Sequence, residues 1–202
     1  MNDAGAELRA KIRQGAKPQA LCELLDRLVE PERVAAAHSL GREDQRALWR
    51  MAEGFRPVTL LDIVPPAVAA MQPVRHFGRN SMPMLTRFEK VFFRAAAQDA
   101  AAPSELSGVN VHVTRPLSGP GYFMVVEDRA RGEVRIDYTR VPVEVPAGWP
   151  KVTTQERGFP WLFYGDMVDT LRRVSEHVTI GSAAKKGRDM GAYFVLCRQE
   201  QP

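Results

Sequence analysis

The chain has 202 residues, 45% hydrophobic and 26% charged, with a formal net charge of +4, which is ordinary usage for one globular domain or one domain with an appendage. No apolar run approaches the ~18–20 residues that cross a bilayer as a helix, and the opening MNDAGAELRAKIRQG lacks the apolar stretch of a secretory signal. Cys22 and Cys197 lie far apart inside apolar patterns; they make neither a disulfide framework nor a metal knuckle, read as buried reduced thiols, and place the expected compartment in the cytoplasm.

The first third reads as short helices. The opening stretch suits an amphipathic first helix. Leu21, Leu24, Leu25, Leu28 and Val29 then share one helical face, with Pro18 near its start. Pro31 opens a second helix, ERVAAAHSL, which Gly41 ends. REDQRALWRMAEG comes next, and Thr59 with Asp62 forms a capping box for one turn, TLLDIV, stopped by Pro65 and Pro66. Helices this short are marginal alone, so they must pack on one another or on the C-terminal part of the chain.

VRHFGRNS reads as a connector. Met84, Leu85, Phe88, Val91 and Phe92 recur at helical spacing, and Arg87, Lys90 and Arg94 take the other face, which predicts a basic amphipathic helix over 82–94. From Gly108 the period changes to two, giving strands at GVNVHVTR, GYFMVVED and EVRIDYTRV. PVEVPAGWPK is proline-rich and expected to be irregular. Tyr164, Met167, Val168, Leu171 and Val174 predict a helix over 160–176. HVTIGSAAKKGRDMGAYFVLCR closes the chain as a hairpin with a charged tip, expected to be a solvated turn.

The resulting expectation is an α+β fold: a helical region at 1–75, then at 76–202 a domain with a mostly antiparallel sheet of about five strands crossed by one helix.

No motif declares a reaction. SGPG at 118–121 precedes a strand and no helix, so it reads as a turn and not a phosphate cradle. A G-x-S-x-G elbow is absent. The histidines at 38, 76, 112 and 177 have no metal-ligand spacing, so no metal or cofactor is expected. The first functional reading is a pocket for a small, partly apolar ligand between the sheet and the 160–176 helix. Asn110, His112, Arg135 and Asp137 would orient the ligand there, with Trp161 and Tyr164 at the rim. The second is a basic interaction module. Arg75, Arg79, Arg87, Lys90 and Arg94 in one segment, and Lys185, Lys186 and Arg188 in another, would contact nucleic acid, anionic lipid or an acidic protein. The third is an enzyme in the same pocket, with His112 and Asp137, or His177 and Glu176, as acid and base. A homodimer through the apolar helix faces stays open.

Overall fold

The computed structural model describes residues 3–82, 86–111, 121–150, 152 and 166–201. These residues form five helices and eight strands. Helices α1 (Ala4–Arg13), α2 (Pro18–Asp26), α3 (Glu30–His38), α4 (Arg42–Met51) and α5 (Leu60–Ile63) fall where the sequence periodicity puts them. Asp3 caps α1 through its side chain, proline occupies the first turn of α2 and α3, and Thr59 and Asp62 close the box that starts α5.

The remainder corrects the expected α+β arrangement with about five strands. Strands β1 (Val74–Asn80), β2 (Arg87–Phe93), β3 (Leu106–Val111), β4 (Gly121–Asp128), β5 (Glu133–Asp137), β6 (Met167–Arg173), β7 (Val178–Lys185) and β8 (Arg188–Arg198) pair in sequence order, every neighbour antiparallel. β1 also pairs with β8, which closes the sheet into a barrel. Closure joins the two edges that an open sheet would expose.

The predicted helix over 82–94 is strand β2 from Arg87 onward. Phe88, Lys90 and Phe92 point into the barrel, while Val91 packs outside against Val145 and Trp149. Both faces of β2 are covered, so its apolar residues run continuously and mimic helical spacing. The predicted helix over 160–176 is likewise strand β6 over its described part. Met167, Asp169 and Leu171 face inward, and the charged Asp169 at an inward position hides the period of two. The part before residue 166 falls outside the described residues. The "connector" VRHFGRNS is β1, in which Val74 and His76 face inward and Arg75 outward.

Three surfaces are buried. The barrel interior carries Phe92, Phe123, Val125, Ile136, Leu171 and Leu196, and α5 with Val64 and Val68 plugs one end of it. At that plug the His76 Nε2–H donates to the carbonyl of Ile63 at 3.0 Å, and Arg173 pairs with Asp62 at 2.9 Å. Outside, α1 to α4 lay Leu8, Leu25, Ala37 and Leu48 over Val178, Ile180, Val195 and Cys197 of β7 and β8. Arg172 ties this layer down, with its Nη1 on the Trp49 carbonyl at 3.0 Å and its Nε on Glu133 at 2.7 Å. On the far side, Val141, Val145, Trp149 and Val152 cover Val91, Val109 and Tyr122.

The charged hairpin tip is a two-residue turn. Lys186 and Gly187 both take positive φ, 51° and 72°, the geometry that matches the twist of two flanking strands. Lys186 and Arg188 are exposed.

Candidate functional site

Three inward phenylalanines are laid down by three glycines. Gly78 faces Phe88 across β1–β2, Gly108 faces Phe123 across β3–β4, and Gly181 faces Phe194 across β7–β8. A Cβ at these glycines would sit 2.6, 2.3 and 2.2 Å from the facing ring. Each ring therefore folds over bare backbone. The opposed pair Ala183 and Ala192 leaves further room.

Into that space comes one cation. Lys90 and Asp169 side chains are each 3% exposed, with Nζ 3.1 Å from Oδ2. Nζ also donates to Asn110 Oδ1 at 2.9 Å and to the Tyr138 hydroxyl. Three acceptors thus meet the three protons of an ammonium. The Tyr138 hydroxyl donates to Asp169 Oδ2 at 3.0 Å and accepts from Asn110 Nδ2 at 3.0 Å. The rings of Phe88, Phe123, Tyr138 and Phe194 surround Nζ at 5.0 to 5.6 Å from their centroids, within cation–π range. Burial pushes the Lys90 amine below its ordinary value, and Asp169 opposes that shift.

One atom of this network is left over. Asp169 Oδ1 is buried and has no hydrogen-bond partner among the described residues. Lys90, Asn110, Tyr138 and Asp169 line a cavity of about 140 Å³, walled by Phe88, Phe194 and Met167, at the end of the barrel opposite α5. Among the described residues that line it, one cation faces one anion.

Of the residues expected from sequence to bind a ligand, Asn110 is in this network. Arg135 and Asp137 are not: inward Val134 and Ile136 alternate with them, so Arg135 is exposed on the outer face. Asp137 binds Thr139 there, accepting from its hydroxyl at 2.6 Å. His112, Trp161 and Tyr164 fall outside the described residues. His177 and Glu176 sit between β6 and β7 and line a different cavity, with Pro65, Val68 and Arg198; Nε2 lies 3.8 Å from Glu176 Oε1, and burial lowers the imidazole pKa.

The basic residues split by strand alternation. Lys90 and Arg94 are buried; Arg94 donates to the Val68 carbonyl. Arg75 is exposed and paired with Glu89 at 3.2 Å. Arg87 is exposed, Arg79 donates to the His38 carbonyl, Lys185 is half-buried, and Lys186 and Arg188 are exposed. Sequence reasoning missed Lys90, Tyr138 and Asp169 as one site. They come from separate segments of the chain, 79 residues apart at the extremes, and no local pattern links them.

Fold and site together define a small closed antiparallel β-barrel with a helical layer outside and a lysine-centred polar network within. No protein-family model matches the chain, and no curated protein matches it in sequence. No helix among the described residues is long and apolar enough to cross a membrane.

Proposed function

We propose that the barrel binds a small, uncharged, mostly apolar molecule that donates one hydrogen bond to Asp169 Oδ1. The observation that carries this reading is a buried carboxylate oxygen without a partner among the described residues, on Asp169, a residue that lines a mostly apolar cavity. A buried acceptor without a partner costs roughly 1–3 kcal/mol, which a ligand donor recovers. An ionic ligand is disfavoured, because it would add an uncompensated charge to a pair that already balances. The volume suits roughly one six-membered ring, since an apolar cavity of about 150 Å³ takes benzene. The ligand replaces the pocket expected beside a 160–176 helix: the same sheet residue, Asn110, contributes, but from inside a barrel. Cys22 and Cys197 are free and buried, with thiols pushed up to about 11 and about 12 chiefly by burial, which fits a reducing compartment such as the cytoplasm.

Thermal unfolding with benzyl alcohol and with toluene tests this. Benzyl alcohol should raise the melting temperature in a concentration-dependent way, and toluene should raise it less. Equal shifts would remove the role of Asp169; no shift from either would remove the pocket.

A further inference from the structure

We infer that Lys90 is a nucleophile, and that the class of ligand it takes covalently is a small aldehyde or ketone, held as an imine inside the barrel. The inference rests on the binding reading above and names its substrate class. Three observations carry it. Lys90 lines the cavity, and the rings of Phe88, Phe123 and Phe194 surround its Nζ. A carboxylate and a phenol, the groups needed to move protons, are both hydrogen-bonded to that nitrogen or to each other. The carboxylate divides its labour: Oδ2 holds Nζ, and Oδ1 is without a partner among the described residues.

The chemistry closes on these groups alone. Nζ passes one proton to Asp169 along the existing 3.1 Å contact, and burial favours the neutral amine it leaves. The nitrogen lone pair attacks the carbonyl carbon; a C–N bond forms and the π pair moves to oxygen. A proton shifts from nitrogen to that oxygen through the Tyr138 hydroxyl, giving a carbinolamine. Protonated Asp169 then gives its proton to the carbinolamine hydroxyl, the C–O bond breaks, and water leaves. The product is an iminium beside an ionised Asp169. Nothing is oxidised or reduced, and the site ends with the charge it began with, one cation facing Asp169. A lysine suits this role where an arginine does not, because only the amine loses its proton readily when buried.

The test is reductive trapping. Protein is incubated with benzaldehyde and sodium cyanoborohydride, and the benzyl group is located by peptide mass spectrometry. Expected is labelling of Lys90 at least ~10-fold faster than of the exposed Lys186, and slowing of ~100-fold or more in Asp169→Asn, the usual scale for losing an acid–base group. Lys90→Arg should abolish the Lys90-site label and leave the surface labels. Since a variant inside the barrel can fail to fold, the wild-type protein also decides: saturating benzyl alcohol should suppress labelling of Lys90 and leave Lys186 unaffected. Labelling confined to surface lysines overturns the proposal. If benzyl alcohol still raises the melting temperature in that case, binding stands and only the lysine chemistry falls; if it does not, both fall.

Discussion

Replacing Lys90 by methionine probes the centre of the barrel directly. The substitution keeps the unbranched stem and removes the cation, so Asp169, 3% exposed, loses its ion-pair partner and keeps the Tyr138 hydroxyl. The stranded carboxylate escapes by taking up a proton. Protonating an aspartate of ordinary pKa costs about 4 kcal/mol at pH 7 and about 1.5 kcal/mol at pH 5. The first figure agrees with the roughly 3–5 kcal/mol seen when one partner of a buried pair is removed. For a chain of this length that is a fall of about 6–20 °C in melting temperature at pH 7. The double variant Lys90→Met/Asp169→Leu leaves no charge behind and should recover to within roughly 1–2 kcal/mol of wild type. Urea unfolding of wild type, both single variants and the double, at pH 7 and pH 5, measures the cycle. Single variants that each cost under ~1 kcal/mol and add in the double would refute the buried pair. A Lys90→Met deficit that is no smaller at pH 5 would refute the account of how it arises.

Three further outcomes concern other parts of the molecule. Gly181→Ala puts a Cβ 2.2 Å from the Phe194 ring, so the ring must leave its place over Nζ; a loss of about 1–3 kcal/mol is expected by urea unfolding, and a neutral result would mean the ring is not seated on the glycine. Burial holds the His76 imidazole down to about 3, while the unfolded chain protonates it near its ordinary value of 6.5. The unfolded state therefore binds more protons between those values, stability is complete above about pH 6.5, and about 2 kcal/mol is lost by pH 5. A His76→Gln variant should lack that part of the slope; an unchanged slope would exclude His76 as its source. Arg172→Met removes the bonds to Glu133, Glu53 and the Trp49 carbonyl and the stacking on Trp49 at 3.8 Å. It should cost about 3 kcal/mol and expose the helical layer to limited proteolysis before the barrel is cut. Simultaneous cleavage of both would show that Arg172 does not anchor the layer.

Local rules fixed much of what can be read along the chain. Pro18, Pro31, Gly41 and the Thr59–Asp62 box delimit helices α2 to α5, because caps and breakers act within a few residues. Val134 and Ile136 alternating with Arg135 and Asp137 made β5 legible, and a charged, glycine-containing tip between two apolar runs made the closing hairpin legible. β2 and β6 were not. Val91 is covered outside as Phe92 is inside, and Asp169 occupies an inward position, so neither strand shows the half-buried alternation that marks a strand. Asn110 was legible only as part of a polar strand face; that this face is inside, and that Lys90 and Tyr138 reach it, follows from β2, β3 and β5 being in register.

The sequence by itself determined the helices up to Ile63, the closing turn and the residues whose chemistry is available. Only the tertiary structure decided which faces are inside. Pairing β1 with β8 closes the sheet, and closure turns a row of strands into an interior. It sends Lys90 inward and Arg87 outward on one strand, and it sets Asp169 against a lysine 79 residues away. A side chain's neighbours along a strand are fixed by the chain, but its neighbours across a barrel are fixed by register and curvature, which depend on every strand at once.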